Sequence, residues 1–144
     1  MELLNAIKQR HSVRSYLDKP IDTDVRDELR KYIDKCNQEG NLHIQLIENE
    51  PQAFAKGLFH YGLFSNVKNY IALVGKEDST FDERCGYYGE KIVLKAQMLG
   101  LNTCWVGGTY KKIESVVDLK PGEKFLMVIA IGYGENQGRE HKYK

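Results

Sequence analysis

Two stretches of the chain, Tyr70-Ile71-Ala72-Leu73-Val74-Gly75 and Phe125 to Ile131, run apolar with almost no polar break. Each is too short for a core helix, and a continuous apolar run of this length reads as a strand covered on both faces. A longer segment, from about Asp82 to Leu99, reads as a helix. Tyr88, Ile92, Ala96 and Leu99 form one stripe, which Val93, Leu94 and Met98 widen. A helix apolar over so much of its circumference belongs at the centre of the fold. Doubly covered strands beside a central helix point to a two- or three-layer α+β sandwich.

The remaining elements follow from local pattern. Glu2 to Gln9 places Leu3, Leu4 and Ile7 on one helical face. Asp22 or Thr23 can cap a second helix, whose stripe is Val25, Leu29, Tyr32, Ile33 and Cys36 and whose C′ residue is expected at Gly40. Leu42 to Ile47 alternates and reads as a strand. Pro51 opens a short helix through Leu58, and the stretch from Gly57 to Asn69 reads as a loop. Gly100 ends the central helix, Asn102 to Val106 is a short strand, and Lys111 to Val117 a short helix. Pro121-Gly122-Glu123 is a turn. The polar, Gly-rich tail from Gly132 is expected to be disordered unless a ligand or a second subunit holds it. No linker or repeat divides the chain, so residues 1–144 are read as one domain.

Composition excludes several function classes. Lys and Arg number 21 against 20 Asp and Glu, a net charge of +1. That near balance argues against nucleic acid as partner, since polyanion affinity comes from clustered cations. No apolar run approaches the ~20 residues of a membrane span. Met1-Glu2-Leu3-Leu4-Asn5 carries an acid and reads as an amphipathic helix, so a cytoplasmic location is expected. Cys36, Cys85 and Cys104 form no C-x-x-C pair, which leaves no metal site and fits a reducing compartment.

Four features carry candidate chemistry. Arg10-His11-Ser12-Val13-Arg14 places two guanidiniums and a hydroxyl within five residues, just after a helix. In an extended segment Arg10, Ser12 and Arg14 project to one side and suit a phosphate, although a solvated basic loop has the same pattern. Thr103-Cys104-Trp105-Val106-Gly107-Gly108 ends a strand in two glycines, which lets backbone approach a flat ligand or simply makes a turn. The tail carries Arg139 and Lys142, and Lys68 and Asn69 precede the first buried strand. His11, His43, His60 and His141 have no local partner pattern, and no nucleophile elbow, zinc helix or P-loop occurs. The chain therefore offers binding groups but no catalytic acid, base or nucleophile, which suits either a binding module or an enzyme whose chemistry belongs to a cofactor.

In order, these segments resemble the FMN-dependent nitroreductase family. Arg10 to Tyr16 resembles its R-x-S-x-R-x-[FY] phosphate motif, and Asn69 to Gly75 its first central strand. Gly89-Glu90 through Gly108 resembles its core helix and following strand, and Ile129 to Gly134 its last core strand. Gly86-Tyr87-Tyr88-Gly89-Glu90-Lys91 and Leu101-Asn102-Thr103-Cys104-Trp105 are similar to a nitroreductase-like branch. The family's flavin-lining A-P-[ST]-x-x-N-x-Q segment has no match, so the chain reads as a short form or as a half that needs a partner.

The resemblance implies a central mixed sheet flanked by helices, and a homodimer with FMN at the subunit interface. It implies that Arg10, Ser12 and Arg14 hold the phosphate and ribityl end, that His11 contacts the ring through backbone, and that Arg139, with Lys142 secondary, closes on the phosphate. Asn69 or Lys68 would reach the ring's polar edge, with Cys104, Trp105, Val106 and Gly107 near the ring. NADH or NADPH would give hydride to flavin N5, and a small-molecule acceptor such as a nitroarene or quinone would then take it in a ping-pong cycle. No side chain is required as a catalytic residue. The alternatives are a non-catalytic flavin-binding or interaction module, and a flavin-destructase or dehalogenase-type relative on the same fold.

Overall fold

The computed structural model describes residues 1–54, 64–108 and 116–140. Helix α1 spans Leu3–Gln9 and α2 spans Thr23–Gly40. Strand β1 covers Gln45–Ile47, a short 3-10 turn Gln52–Phe54 follows, and β2 is Tyr70–Lys76. Helix α3 is Phe81–Met98, then β3 is Asn102–Val106 and β4 is Glu123–Gly132.

The four strands lie in the order β1-β2-β4-β3, each pair antiparallel. Parallel pairing enters through two isolated bridges, Ser12 to Thr103 and Ser15 to Ser65. The two runs singled out by hydropathy are thus the two central strands, β2 and β4. They are buried because both faces are covered. Ile71, Leu73, Ile129 and Ile131 face one core with Leu29, Ile33, Cys36, Phe81, Cys85, Ile92, Val93 and Ala96 of α2 and α3. Tyr70, Ala72, Val74, Val128 and Ala130 face a second core, closed among the described residues by Val13, Tyr16, Ala53, Val67 and Val117. A bulge keeps this assignment consistent. Leu73 pairs with Met127 but Val74 pairs with Phe125, so Leu126 is the extra residue. Strict alternation would put Phe125 on the opposite face from Val128, and the bulge returns both to the second core.

Helix ends differ instructively from expectation. Gly100 closes α3 as expected, at φ 86°, with its N–H donating to Gln97 O and the Leu101 N–H to Ala96 O at 2.9 Å. At the end of α2 the left-handed residue is instead Asn41, at φ 51°, and Gly40 is the last helical residue. Gly40 serves packing, because a Cβ there would lie 2.5 Å from Cε2 of Tyr88 on α3. Arg84 of α3 completes the junction by donating from Nη1 to the carbonyls of Gly40 and Asn41. Strand β1 is shorter than its alternating pattern. Ile44 sits outside it because the Asn37 side chain both accepts from the Ile44 N–H and donates to its carbonyl. The short helix from Pro51 is described only as the 3-10 turn, and most of the expected helix from Lys111 lies outside the described residues.

Candidate functional site

The Arg10–Tyr16 segment leaves α1 in extended conformation and is stitched to three neighbours. The Val13 N–H donates to Thr103 O at 3.0 Å, on the free edge of β3. The Ser65 N–H donates to Arg14 O, and the Tyr16 N–H to Ser65 O. The Leu17 N–H reaches Tyr133 O at 2.8 Å, and the Glu135 N–H reaches Ser15 O at 2.9 Å. Val13 and Tyr16 are the buried pegs of the segment. The Tyr16 hydroxyl donates to Val13 O, and burial pushes its phenol far above the ordinary tyrosine value, so it stays protonated.

The tail folds back over this segment, held by contacts within the chain. Asn102 Oδ1 accepts from the Gly134 N–H at 3.0 Å, and its Nδ2 donates to Gln137 Oε1 at 3.1 Å. Asn136 Oδ1 accepts from the Gly138 N–H, and Gly138 turns at φ 86°. A Cβ on Gly138 would stand 2.5 Å from Cβ of His11 and 3.0 Å from Ser12 O, so only glycine lets the tail lie this close.

Between segment and tail lies a cleft of about 470 Å³, lined by Arg10, His11, Ser12, Arg14, Ser15, Asn136, Gly138 and Arg139. None of these residues is acidic, and three are arginines. The Arg10 Nη1 is buried and has no hydrogen-bond partner among the described residues. A buried guanidinium nitrogen left unpaired is costly. The donor set therefore fits the phosphate of FMN: forked guanidiniums, a hydroxyl and no competing carboxylate in the lining.

The other candidates stand elsewhere. Lys68 and Asn69 line a separate cleft of about 340 Å³ with Asp18, Lys19, Glu48, Asn49 and Asn66. There Lys68 Nζ pairs with Asp18 Oδ1 at 2.6 Å, and Asn69 Oδ1 accepts from the Asn49 N–H. Cys104 and Val106 are buried in the second core. Trp105 points to the opposite face, where its ring abuts Gly89 and its indole N–H donates to Glu90 Oε2 at 2.9 Å. Gly107 is exposed beyond the end of β3. The basic segment thus meets β3 at Thr103, near its start, rather than at its glycine end. Lys142 lies outside the described residues. Ser15, Asn136 and Gly138 were not singled out in the sequence. An Asn two residues before a Gly is a local turn signal, but its place over residue 11 depends on tertiary structure.

No described helix is long and apolar enough to cross a membrane, and the described residues hold no group of three or more His, Cys, Asp or Glu able to bind a metal.

A family model described as "Putative TM nitroreductase" matches residues 2–144. No curated protein matches the sequence. Among solved structures, the chain is similar to a protein of Parabacteroides distasonis described as "Putative NADH dehydrogenase/NAD(P)H nitroreductase". The TM-score is 0.74 at 19% identity, over 99% of this chain and 93% of that one. It is also similar to a "putative nitroreductase in complex with fmn" from Desulfovibrio desulfuricans, with TM-score 0.72 and 18% identity over 100% and 92% of the two chains. An "FMN-dependent Nitroreductase" of Clostridium difficile matches with TM-score 0.70 and 17% identity, over 98% and 91%. At such identities the likeness is one of fold.

Proposed function

This chain belongs to the nitroreductase family, and from that premise we propose that residues 1–144 form one FMN-binding domain of an NAD(P)H-dependent oxidoreductase. The observation that carries the reading is the cleft lined together by Arg10, Ser12, Arg14 and Arg139, with no acidic residue in its wall. In it Arg10, Arg14 and Arg139 bind the FMN phosphate, and Ser12 adds a neutral donor. The Cβ of His11 and the Ser12 carbonyl pack against Gly138, which brings the tail over this segment. FMN-bound and FMN-dependent relatives of the same fold support this cofactor.

When bound, FMN supplies hydride chemistry between a nicotinamide and a small acceptor such as a nitroarene or quinone. The work left to the chain is to hold the cofactor, orient it and keep water from its face. That division accounts for the lack of an acid, base or nucleophile constellation in the sequence. Donor and acceptor alternating at one site give ping-pong kinetics.

A second copy of the chain is the expected partner. Met1, Leu3, Leu4 and Ile7 stand exposed on and beside α1, an apolar strip that a homodimer would cover. Cytoplasmic location is the accompanying proposal, and three free, buried cysteines are compatible with it.

The test is flavin uptake. Protein mixed with FMN should retain it through gel filtration and shift its visible absorbance. Lack of uptake at micromolar FMN refutes the proposal. Uptake without oxidation of NADH or NADPH in the presence of acceptor would leave a flavin-binding module instead.

A further inference from the structure

We propose that Glu90, on α3, is the positioning residue of the anion cleft: it restrains the orientation of the Arg10 guanidinium in the cleft wall. This rests on the FMN reading above and adds a residue to it that does not itself touch the cofactor.

Glu90 links Trp105, which lies outside the cleft, to Arg10, which lines it. Its Oε2 accepts from the Trp105 indole at 2.9 Å, and its Oε1 lies 4.0 Å from Arg10 Nε. Glu90 is not a lining residue of the cleft, whereas Arg10 is. The carboxylate thus sits on the Nε side of the guanidinium. Glu90 is in turn held in place. Gly89 beside it admits the Trp105 ring so closely that a Cβ there would lie 2.5 Å from Cη2. Trp105 is anchored in β3, which pairs with β4 along its whole length. The series β3, Trp105, Glu90, Arg10 restrains a side chain with many rotamers, through a hydrogen bond at the indole and an ion pair at the guanidinium. An arginine already held in one orientation loses less freedom when it binds a phosphate.

A simpler account makes the opposite prediction. If Glu90 acted only through its charge, it would weaken the positive field of the cleft, and neutralising it would tighten any anion. A positioning residue behaves in reverse: its neutralisation loosens the phosphate ligand.

The experiment compares FMN with riboflavin, which has the same ring and no phosphate, by flavin fluorescence titration of wild type, Glu90→Gln and Glu90→Asp. Glu90→Gln keeps the shape and an oxygen for the indole while removing the charge. Glu90→Asp keeps the charge and shortens the reach. Emission of Trp105, the single tryptophan, reports whether each variant retains the native seat. Both variants should bind FMN roughly three- to tenfold more weakly, the scale of one positioned hydrogen-bonding group, with riboflavin affinity unchanged. FMN binding as tight as wild type or tighter in Glu90→Gln overturns the proposal, and so does an equal loss for riboflavin. Wild type that fails to prefer FMN over riboflavin refutes the cleft assignment itself, which is a different and recognisable result.

Discussion

Two glycines of α3 lie one turn apart, and replacement by alanine should move stability in opposite directions. At Gly89 an added Cβ would sit 2.5 Å from Cη2 and 3.2 Å from Cζ2 of Trp105. Ordinary contact begins near 3.4 Å, so the indole must retreat by about an ångström. That retreat strains the 2.9 Å bond from Nε1 to Glu90. Overpacking of a close-packed site costs about 1–3 kcal/mol, and loss of the hydrogen bond about 1 kcal/mol more. Against these, Gly to Ala in a helix gains up to about 1 kcal/mol. The net for Gly89→Ala is a loss of roughly 1–3 kcal/mol, or a few to about 10 °C in Tm for a domain of this size. Gly86 is the control. It lies in the same helix with nothing within 4 Å of its Cβ position, so only propensity acts, and Gly86→Ala should gain roughly 0.5–1 kcal/mol. Urea unfolding followed by Trp105 emission measures both, with a blue or red shift in native Gly89→Ala reporting the displaced ring. If Gly89→Ala proves as stable as Gly86→Ala, the close seat of Trp105 on α3 is wrong.

Further outcomes follow from other parts of the structure. Arg14→Ala should weaken FMN by up to about 3 kcal/mol, the range for a charged hydrogen bond, in fluorescence titration; unchanged affinity would remove Arg14 from the phosphate site. Burial opposes ionisation of Glu123, but the Lys120 N–H and His43, 2.8 Å away, outweigh it and hold the carboxyl below its usual 4.5. A depressed folded value means the stabilisation is present above the unfolded glutamate value and is lost as pH falls through the folded one. Denaturation between pH 5 and 3, about the usual carboxylate range, should therefore show a stability loss in wild type that is smaller in Glu123→Gln. Cys85 is pushed up to about 11, mainly by burial, so native protein should resist iodoacetamide near neutral pH and react once unfolded. Rapid labelling of Cys85 in native protein would contradict its burial on the core face of α3.

Much of this fold is legible because it follows from short-range pattern. The doubly apolar runs are β2 and β4, the broad stripe is α3, and Gly100 with Leu101 closes it. What escaped reading depends on contacts distant in sequence. Gly40 has the composition of a helix terminator, yet its role is set by Tyr88 on another helix, and the left-handed position falls to Asn41. The Leu126 bulge leaves no local mark, because Phe125, Leu126 and Met127 are apolar on either register. At the site, alternation placed Arg10, Ser12 and Arg14 on one cleft. The same reasoning could not foresee that Lys68 would be occupied by Asp18, or that Trp105 would turn toward α3. Glu90 is the sharpest case: nothing in the run Gly89-Glu90-Lys91 signals that its two oxygens face residues from two different elements.

The walls of the anion cleft come from opposite extremes of the sequence order. Arg10 to Ser15 precede every strand, and Asn136 to Arg139 follow the last one. Neither arm forms the cleft without the other. An anion gripped by Arg10 and Arg139 together would act as a removable clasp, penalising the opening of either arm. By mass action, occupancy of the cleft would then add directly to resistance against unfolding.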